Sequence, residues 1–216
     1  MSTVAVIDYG MGNLHSIGKA LQHADPQNRV LVTSDPEQLR QADRVVFPGV
    51  GSIRDCMVAL RDLGLIPLLA ELSANKPFLG ICLGMQALLE TSEENDGVAC
   101  LGLLPGRVVK FSSDLEDGSG QVLKIPHMGW NRVHQTGNHP LWEGIAQDSR
   151  FYFVHSYYAQ PQNSAHIAAT SDYPEPFTVA LAKDNLFAVQ FHPEKSGRPG
   201  LQILANFSRW EGNDAQ

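Results

Sequence analysis

A cysteine flanked closely by two glycines is the residue of this chain best suited to nucleophilic chemistry. The segment GICLG, residues 80–84, places Cys82 where an apolar run gives way to an amphipathic stretch, so that a strand should become a helix. A nucleophile on such a sharp turn takes strained backbone angles, and small flanking residues let neighbouring backbone approach. The helix amino terminus favours a thiolate, and the Leu83 N–H group is free to face a developing oxyanion. We interpret Cys82 as a nucleophile; the alternative is a buried cysteine in a glycine-rich turn.

A thiolate of this kind needs a general base, and two of the eight histidines end strand-like segments. These are His155 in FYFVHSYY and His192 in LFAVQFHPEKSG. Ligands of α/β sheets bind at the carboxyl ends of the strands. Glu194 follows His192 by two residues, so in an extended chain both side chains point to the same face. A carboxylate there would fix the tautomer and orientation of the imidazole, which favours His192 over a strand-end histidine without a chemical role.

A glycine-rich turn, FPGVG at residues 47–51, ends another predicted strand just before a helix. Exposed backbone N–H groups on such a turn bind anions. The turn could therefore form the second half of an oxyanion hole, or it could be an ordinary connection between a strand and a helix.

Three rival motifs would indicate other functions, and each is incomplete. GMGNLH at residues 10–15 is similar to a dinucleotide-binding fingerprint, with Asp35 where a ribose-binding acid would lie, but His15 replaces the third glycine. The segment from Gly12 to Lys19 is one residue too long for a phosphate-binding P-loop, and Ala20 replaces the residue that would bind magnesium. The sequence contains neither an H-E-x-x-H motif nor paired zinc-binding cysteines. We predict no metal and no cofactor.

Length and composition indicate one domain over residues 1–216, with a substantial core. The chain is 43% hydrophobic and 18% charged, and its net charge of −7 argues against a nucleic-acid-binding protein. The longest apolar stretch, 63–72, is too short and too interrupted to span a bilayer, and the amino terminus lacks the features of a signal peptide. Three cysteines without a C-x-x-C motif favour a reducing cytoplasm.

The elements that must position these residues alternate between strand and helix in the first half of the chain. This order predicts a parallel sheet covered by helices on both faces. The predicted strands are 3–9, 29–33, 44–49 and 77–81, and the predicted helices are 13–24, a short one opened by a Ser34–Glu37 capping box, 52–63 and 83–90. Further strands at 107–111, 151–158, 177–182 and 186–191 predict antiparallel or mixed additions, before a final helix at 199–210. We interpret residues 112–120 as a flexible polar loop, and PHMGWN at 126–131 as turn-rich.

GICLGMQ, with FHPE far downstream, resembles the class I, or triad-type, glutamine amidotransferases, and the resemblance covers nearly the whole chain. IDYGMGNLHSI, FPGVGSI, PHMGWN, FVHSYY and QFHPEKSG look like the glutaminase subunits of imidazole glycerol phosphate synthase. Met85 supports this choice, because other glutaminases of the class usually carry His there. The resemblance implies a three-layer, flavodoxin-like α/β domain with a mixed, mostly parallel central sheet.

The same resemblance implies a role for each matching residue. Cys82 would be the nucleophile, His192 the acid and base, and Glu194 the residue that orients the histidine. The oxyanion-binding positions would be Gly49, Val50, Gly51 and Leu83. The positions that hold the amino-acid end of glutamine would be Gln86, His155, Ser156 and Tyr157. The face that meets a partner would include Asn13, Met128, Trp130 and Lys195.

The implied function is hydrolysis of glutamine to glutamate and ammonia. Ammonia would pass to a separate (β/α)8-barrel cyclase, as a heterodimer that makes imidazole glycerol phosphate and aminoimidazole carboxamide ribonucleotide in histidine biosynthesis. Three alternatives remain at this point: a paralogous glutaminase serving another synthase, such as one that amidates surface polysaccharide sugars; an inactive docking subunit; and a dinucleotide-binding oxidoreductase.

Overall fold

The computed structural model describes residues 2–212, which form a large mixed sheet, a two-stranded sheet and six helices within that range. The strands are β1 (Thr3–Ile7), β2 (Arg29–Thr33), β3 (Arg44–Gly49), β4 (Phe78–Cys82), β5 (Thr91–Ser92), β6 (Val98–Ala99), β7 (Gly106–Lys110), β8 (His127–Arg132), β9 (His134–Gln135), β10 (Arg150–His155), β11 (Tyr157–Pro161), β12 (Ile167–Asp172), β13 (Pro176–Lys183) and β14 (Leu186–Val189). The helices are α1 (Leu14–Ala24), α2 (Pro36–Gln41), α3 (Ile53–Asp62), α4 (Ile66–Asn75), α5 (Leu83–Ala87) and α6 (Gly197–Phe207).

The centre of the large sheet is parallel, and its remaining strands are mainly antiparallel. Its order is β2-β1-β3-β4-β14-β13-β11-β7-β5-β6, with β12 and β9 branching from β13. The five strands from β2 to β14 pair in parallel. Antiparallel pairing begins between β14 and β13 and continues from β13 to β11 and from β11 to β7. This arrangement confirms the predicted α/β domain with a mixed central sheet.

Helices cover both faces of the parallel strands, because alternate strand residues point to opposite sides. Val4 and Val6 of β1 pack in a buried cluster with residues of α1 and α6. Ala5 and Ile7 of the same strand pack in a second cluster with residues of α2, α3, α4 and α5. Both clusters are apolar, so the sheet is the middle of three layers, as the resemblance implies.

The predicted strand 151–158 is wrong as a single element. The chain bends at Ser156, so that β10 pairs with β8 in the small sheet while β11 pairs with β7 and β13 in the large one. The β-branched and aromatic pattern is continuous across the bend, because both halves are strands. The segment PHMGWN, whose glycine and asparagine favour turns, instead forms most of β8.

Helix boundaries differ from the predictions in three places. Residues 66–75 form α4, an unpredicted helix, because Pro67 lies in the first helical turn, where its missing N–H group is tolerated. Asp35, rather than Ser34, caps α2 by accepting a hydrogen bond from the Glu37 N–H group at 2.8 Å. The helices that follow Cys82 and Ser196 both end three residues earlier than predicted. Within residues 2–212, none of the helices combines the length and apolar character needed to cross a membrane.

Candidate active site

Cys82 ends β4 and begins the turn into α5 with a backbone geometry that L-residues rarely adopt. Its φ is 54° and its ψ is −111°. The side chain is buried to 7% exposure, but the residue lines a cavity of about 360 Å³. A non-glycine residue is held in this region only when the surrounding structure enforces it, and such residues cluster at functional sites. The strained turn that the sequence predicts at Cys82 is therefore present.

The glycines around Cys82 are required by close packing. A methyl group at Gly84 would overlap the backbone carbonyl oxygen of Phe47, and one at Gly80 would lie 3.0 Å from Leu88 Cδ1. Gly49 is equally constrained, since a Cβ atom there would lie 2.6 Å from Tyr9 Oη. The small residues let β3, β4 and α5 approach one another, as the sequence predicts.

His192 and Glu194 form a buried ion pair beside Cys82. The distance from His192 Nδ1 to Glu194 Oε1 is 2.9 Å, and both side chains are at most 5% exposed. His192 lines the same cavity as Cys82. Burial alone would lower the pKa of His192, but interactions with the Cys82 sulfur and the Glu194 carboxylate outweigh it and raise that pKa to about 10. The pairing thus favours an imidazolium whose orientation is set by Glu194.

The cavity brings together most of the predicted site residues. It is lined by Val50, Gly51, Cys82, Leu83, Gln86, Glu94, Pro126, Val154, His155, Ser156, Tyr157 and His192. Gly49 instead lines a smaller neighbouring cavity, which also contacts Asn13, Glu194 and Lys195. Glu94, Pro126 and Val154 are absent from the predicted site residues. Pro126 and Val154 lie in the segments PHMGWN and FVHSYY, but their apolar side chains carry no group that would mark them for chemistry.

Residues 5–209 match the family described as class-I glutamine amidotransferase. The chain belongs to the class I glutamine amidotransferase family. It is 64% identical to the imidazole glycerol phosphate synthase subunit HisH of Methylococcus capsulatus, over 98% of each chain. The subunit of the same name from Nitrosococcus oceani is 60% identical over 98% of this chain and 99% of its own length. Imidazole glycerol phosphate synthase subunit HisH 1 of Pseudomonas aeruginosa is 59% identical over the same shares.

Solved structures support the same fold at much lower identity. A crystal structure described as a glutamine amidotransferase has a TM-score of 0.71 at 16% identity, covering 96% of this chain and 99% of the other. The structure of PurLQS from Thermotoga maritima also has a TM-score of 0.71, at 18% identity, covering 95% and 97% of the two chains. The amidotransferase fold is thus retained across large sequence distances.

Two buried histidines lie next to each other at the cavity of this amidotransferase, and one of them, His155, lines it. His127 and His155 are directly opposite on β8 and β10, with His127 Nδ1 2.9 Å from His155 Nε2. His155 Nδ1 lies 2.8 Å from the Tyr157 carbonyl oxygen, and His127 Nε2 lies 3.2 Å from Asn131 Nδ2. Burial lowers the pKa of His127 to about 4 and that of His155 to about 3, so both rings are neutral at pH 7.

Neutral rings allow only one set of tautomers in this chain of contacts. The Tyr157 carbonyl can only accept, so His155 donates through Nδ1 and accepts through Nε2. His127 must then donate through Nδ1 and accept from Asn131 through Nε2. Both ring nitrogens of His155 are therefore engaged within the protein, so this residue does not offer a hydrogen bond to a ligand and instead holds the Tyr157 carbonyl group. His127 lies in PHMGWN, one of the segments that carry the family resemblance, but the sequence alone does not predict its contact with His155.

Gln86 uses its amide nitrogen to join two walls of the cavity. Nε2 donates to the Tyr157 carbonyl oxygen at 3.0 Å and to Gln190 Oε1 at 2.9 Å. Both N–H groups are thus occupied, which leaves the amide oxygen to accept a hydrogen bond from a ligand in the cavity.

Tyr9 is a further residue that motifs do not reveal. Its hydroxyl donates to the Pro48 carbonyl oxygen at 2.9 Å and lies against the glycine turn that begins at Gly49. Burial, together with the Cys56 thiol, raises the pKa of Tyr9 above its usual range, so the hydroxyl remains a donor at neutral pH. Tyr9 anchors the strand that carries the predicted oxyanion turn.

The predicted partner-binding residues are exposed, and two of them, Asn13 and Lys195, line the smaller cavity that also contacts His192 and Glu194. Met128 and Trp130 are 61% and 51% exposed, and Asn13 and Lys195 are also exposed. Trp130 contacts the ring of Tyr152 edge-on, with centroids 6.2 Å apart, and Lys195 Nζ lies 5.9 Å from the same ring. These contacts place Trp130 and Lys195 in one surface patch. In the part of the chain that the structure describes, no group of three or more His, Cys, Asp or Glu side chains could hold a metal ion.

Proposed function

We propose that this chain hydrolyses glutamine to glutamate and ammonia in the cytoplasm and delivers the ammonia to a separate cyclase subunit for histidine biosynthesis. The observation that carries the proposal is the strained Cys82, at φ 54°, in one cavity with His192, whose Nδ1 lies 2.9 Å from Glu194. The names of relatives that are 59 to 64% identical support the pathway.

The first half of the reaction forms a thioester. The Cys82 thiolate attacks the side-chain amide carbon of glutamine, and the carbonyl oxygen becomes an oxyanion. Backbone N–H groups of Leu83 and of the turn at Gly49, Val50 and Gly51 stabilise that charge. The imidazolium of His192 then gives its proton to the departing nitrogen, the C–N bond breaks and ammonia leaves.

The second half of the reaction returns the enzyme to its initial state. His192, now neutral, removes a proton from water, and the resulting hydroxide attacks the thioester carbon. The C–S bond breaks, its electron pair returns to Cys82, and glutamate is released. Glu194 holds the imidazole in place and stabilises its charged form in both halves.

Gln86, Ser156 and Tyr157 form the part of the cavity that would hold the amino-acid end of glutamine. The free amide oxygen of Gln86 accepts from the substrate ammonium group, while Ser156 and Tyr157 line the wall on which the amino-acid end rests. His155 contributes by holding the Tyr157 carbonyl through its Nδ1–H group.

The partner is the cyclase, a (β/α)8 barrel, and it docks on the exposed patch of Met128, Trp130, Asn13 and Lys195. Met128 and Trp130 are large apolar side chains that are 61% and 51% exposed, and Trp130 contacts the same Tyr152 ring as Lys195. Asn13 and Lys195 line the cavity that contains Glu194. Removing one oxyanion donor in such chemistry costs about 3 to 4 kcal/mol, so a cyclase that positions the Val50 amide would control the rate.

Glutamate release from glutamine tests this function in the purified chain, first alone, then with the cyclase, then with the cyclase and its ribonucleotide. We expect low activity alone, a large increase in the complex, and none for Cys82→Ser. Cys100→Ser is the matched control, because burial raises the pKa of the Cys100 thiol to about 11 and this residue lies outside the cavity lining. A wild-type chain that stays inactive with this cyclase would refute the pathway assignment, and activation by another synthase would favour the paralogous glutaminase.

A further inference from the structure

Gln190 lies beside the nucleophile on the neighbouring strand. Strand β14 pairs in parallel with β4, with Val189 opposite Ile81, so the residues that follow are Gln190 and Cys82. Gln190 is fully buried, and its backbone N–H group donates to the Val179 carbonyl oxygen at 2.8 Å. Its position is therefore fixed by the sheet, two residues before His192.

The side-chain amide of Gln190 has a partner at each end. Nε2 donates to Cys82 Sγ at 3.7 Å, and Oε1 accepts from Gln86 Nε2 at 2.9 Å. A buried amide that lost either partner would pay a desolvation penalty, so the two contacts hold each other in place. The orientation of the amide follows from Gln86, which can present only N–H groups to both Tyr157 and Gln190.

The hydrogen bonds of Gln190 belong to a series of hydrogen bonds that extends from Cys82 to the two buried histidines. From the sulfur of Cys82 it passes through Gln190 and Gln86 to the Tyr157 carbonyl oxygen, and from there to His155 and His127. Every link has one donor and one acceptor in the tautomers assigned above. The sulfur is thus oriented by the same network that shapes the wall around the substrate.

We propose that Gln190 is a positioning residue of the reaction, which holds the Cys82 sulfur through its amide N–H group while Gln86 holds the amide. The inference rests on the proposed glutaminase function. A hydrogen bond to a charged acceptor is stronger than one to a neutral acceptor, so the N–H group favours the thiolate over the thioester sulfur. It therefore stabilises the attacking thiolate before the first step and the leaving thiolate when the C–S bond breaks in the second.

Gln190→Met tests this role, because methionine has a similar length and no N–H group. We expect alkylation of Cys82 by iodoacetamide at pH 8, followed by mass spectrometry of the peptide that carries it, to slow about 10-fold or more. In the complex with the cyclase, kcat should fall by a similar factor with a smaller change in KM for glutamine. Gln162→Met, at an exposed position outside the cavity lining, is the matched control and should retain the wild-type rates.

A second variant keeps the test decisive if Gln190→Met does not fold, as judged by circular dichroism and thermal unfolding. Gln190→Glu retains an oxygen for Gln86 but places a carboxylate against the sulfur, so alkylation should again slow about 10-fold or more. Folded variants whose alkylation rate and kcat stay within about twofold of wild type would overturn the proposal. Alkylation needs neither glutamine nor the cyclase, so a wild-type chain without glutaminase activity would refute the proposed function while the role of Gln190 was still measured.

Discussion

At the scale of single residues, His192 combines two environments that act in opposite directions. Burial disfavours its charged form, while Cys82 and Glu194 favour that form more strongly. The folded-state pKa is therefore raised above that of an unfolded chain. The stabilisation is fully present below about pH 6.5, the unfolded value, and is lost as the pH rises through about 10.

Replacing the Cys82 sulfur should show how much it contributes to the raised pKa of His192. In Cys82→Ser, we expect the pKa of His192 to fall below the wild-type value, because the interaction with the thiolate is lost while burial and Glu194 remain. Nuclear magnetic resonance titration of the His192 ring measures the pKa in both proteins. His166, whose pKa is lowered by burial and which does not line the cavity, is the internal control and should titrate identically in the two. An unchanged pKa of His192 in the variant would mean that the Cys82 sulfur does not contribute to the raised pKa.

At the scale of elements, the turn from β4 to α5 depends on how closely β3 approaches the helix. Gly84, near the start of α5, packs directly against the backbone carbonyl of Phe47 in β3. Cys82, two residues earlier, is held at positive φ in the turn between β4 and α5. The helix has only five residues, so its position is determined by packing rather than by its own hydrogen bonds.

Gly84→Ala should therefore displace the whole turn. We expect a loss of about 3 kcal/mol in the free energy of unfolding, because the added methyl group overlaps fixed backbone, and a loss of glutaminase activity in the complex. Urea denaturation measures the first effect. Gly137→Ala is the matched control, since no atom lies within 4 Å of the place that its added methyl group would take and its φ is not in the left-handed region; it should change stability by less than about 0.5 kcal/mol. Equal effects of the two substitutions would disprove the packing argument.

At the scale of the whole molecule, the buried histidine pair links the shape of the cavity to folding stability in acid. His127 and His155 have folded-state pKa values of about 4 and about 3, both below the value of an unfolded histidine. As the pH falls below about 6.5, the unfolded chain gains protons that the folded chain does not bind. Stability contributed by the neutral pair is therefore present above that pH and is lost towards the folded values.

As the pH falls from about 5.5 to about 4.5, each histidine of the pair should lower the free energy of unfolding by about 1.4 kcal/mol. His127→Gln keeps a polar side chain at this position but removes one titrating group, so we expect its stability to fall less steeply with acidity than that of the wild type. Urea denaturation across about pH 7.5 to 4.5 measures both slopes, and carboxylates common to the two proteins cancel in the difference. Parallel curves would show that His127 binds its proton in the folded state.

Local sequence was sufficient to predict the turn at Cys82 and the candidate pair of His192 and Glu194, while the reaction itself followed from the family resemblance. The glycine spacing around Cys82 predicts the strained turn, because the turn involves only adjacent residues and their steric limits. Glu194 and His192 are two residues apart, so their pairing needs only local chain geometry. The extended chain predicted there is wrong, because Pro193–Lys195 form a 3-10 turn, and this turn brings Glu194 Oε1 to 2.9 Å from His192 Nδ1. The alternation of strands and helices in the first half likewise predicts the three layers.

The tertiary structure decided the contacts between residues that are distant along the chain. Gln190 and Cys82 are 108 positions apart, Tyr9 and Pro48 are 39 apart, and His127 and His155 are 28 apart. Each pair meets because two strands lie side by side in one register, and register depends on the packing of the complete sheet. The bend at Ser156 is of the same kind, since both of its arms have strand-like sequences and only their different partners separate them.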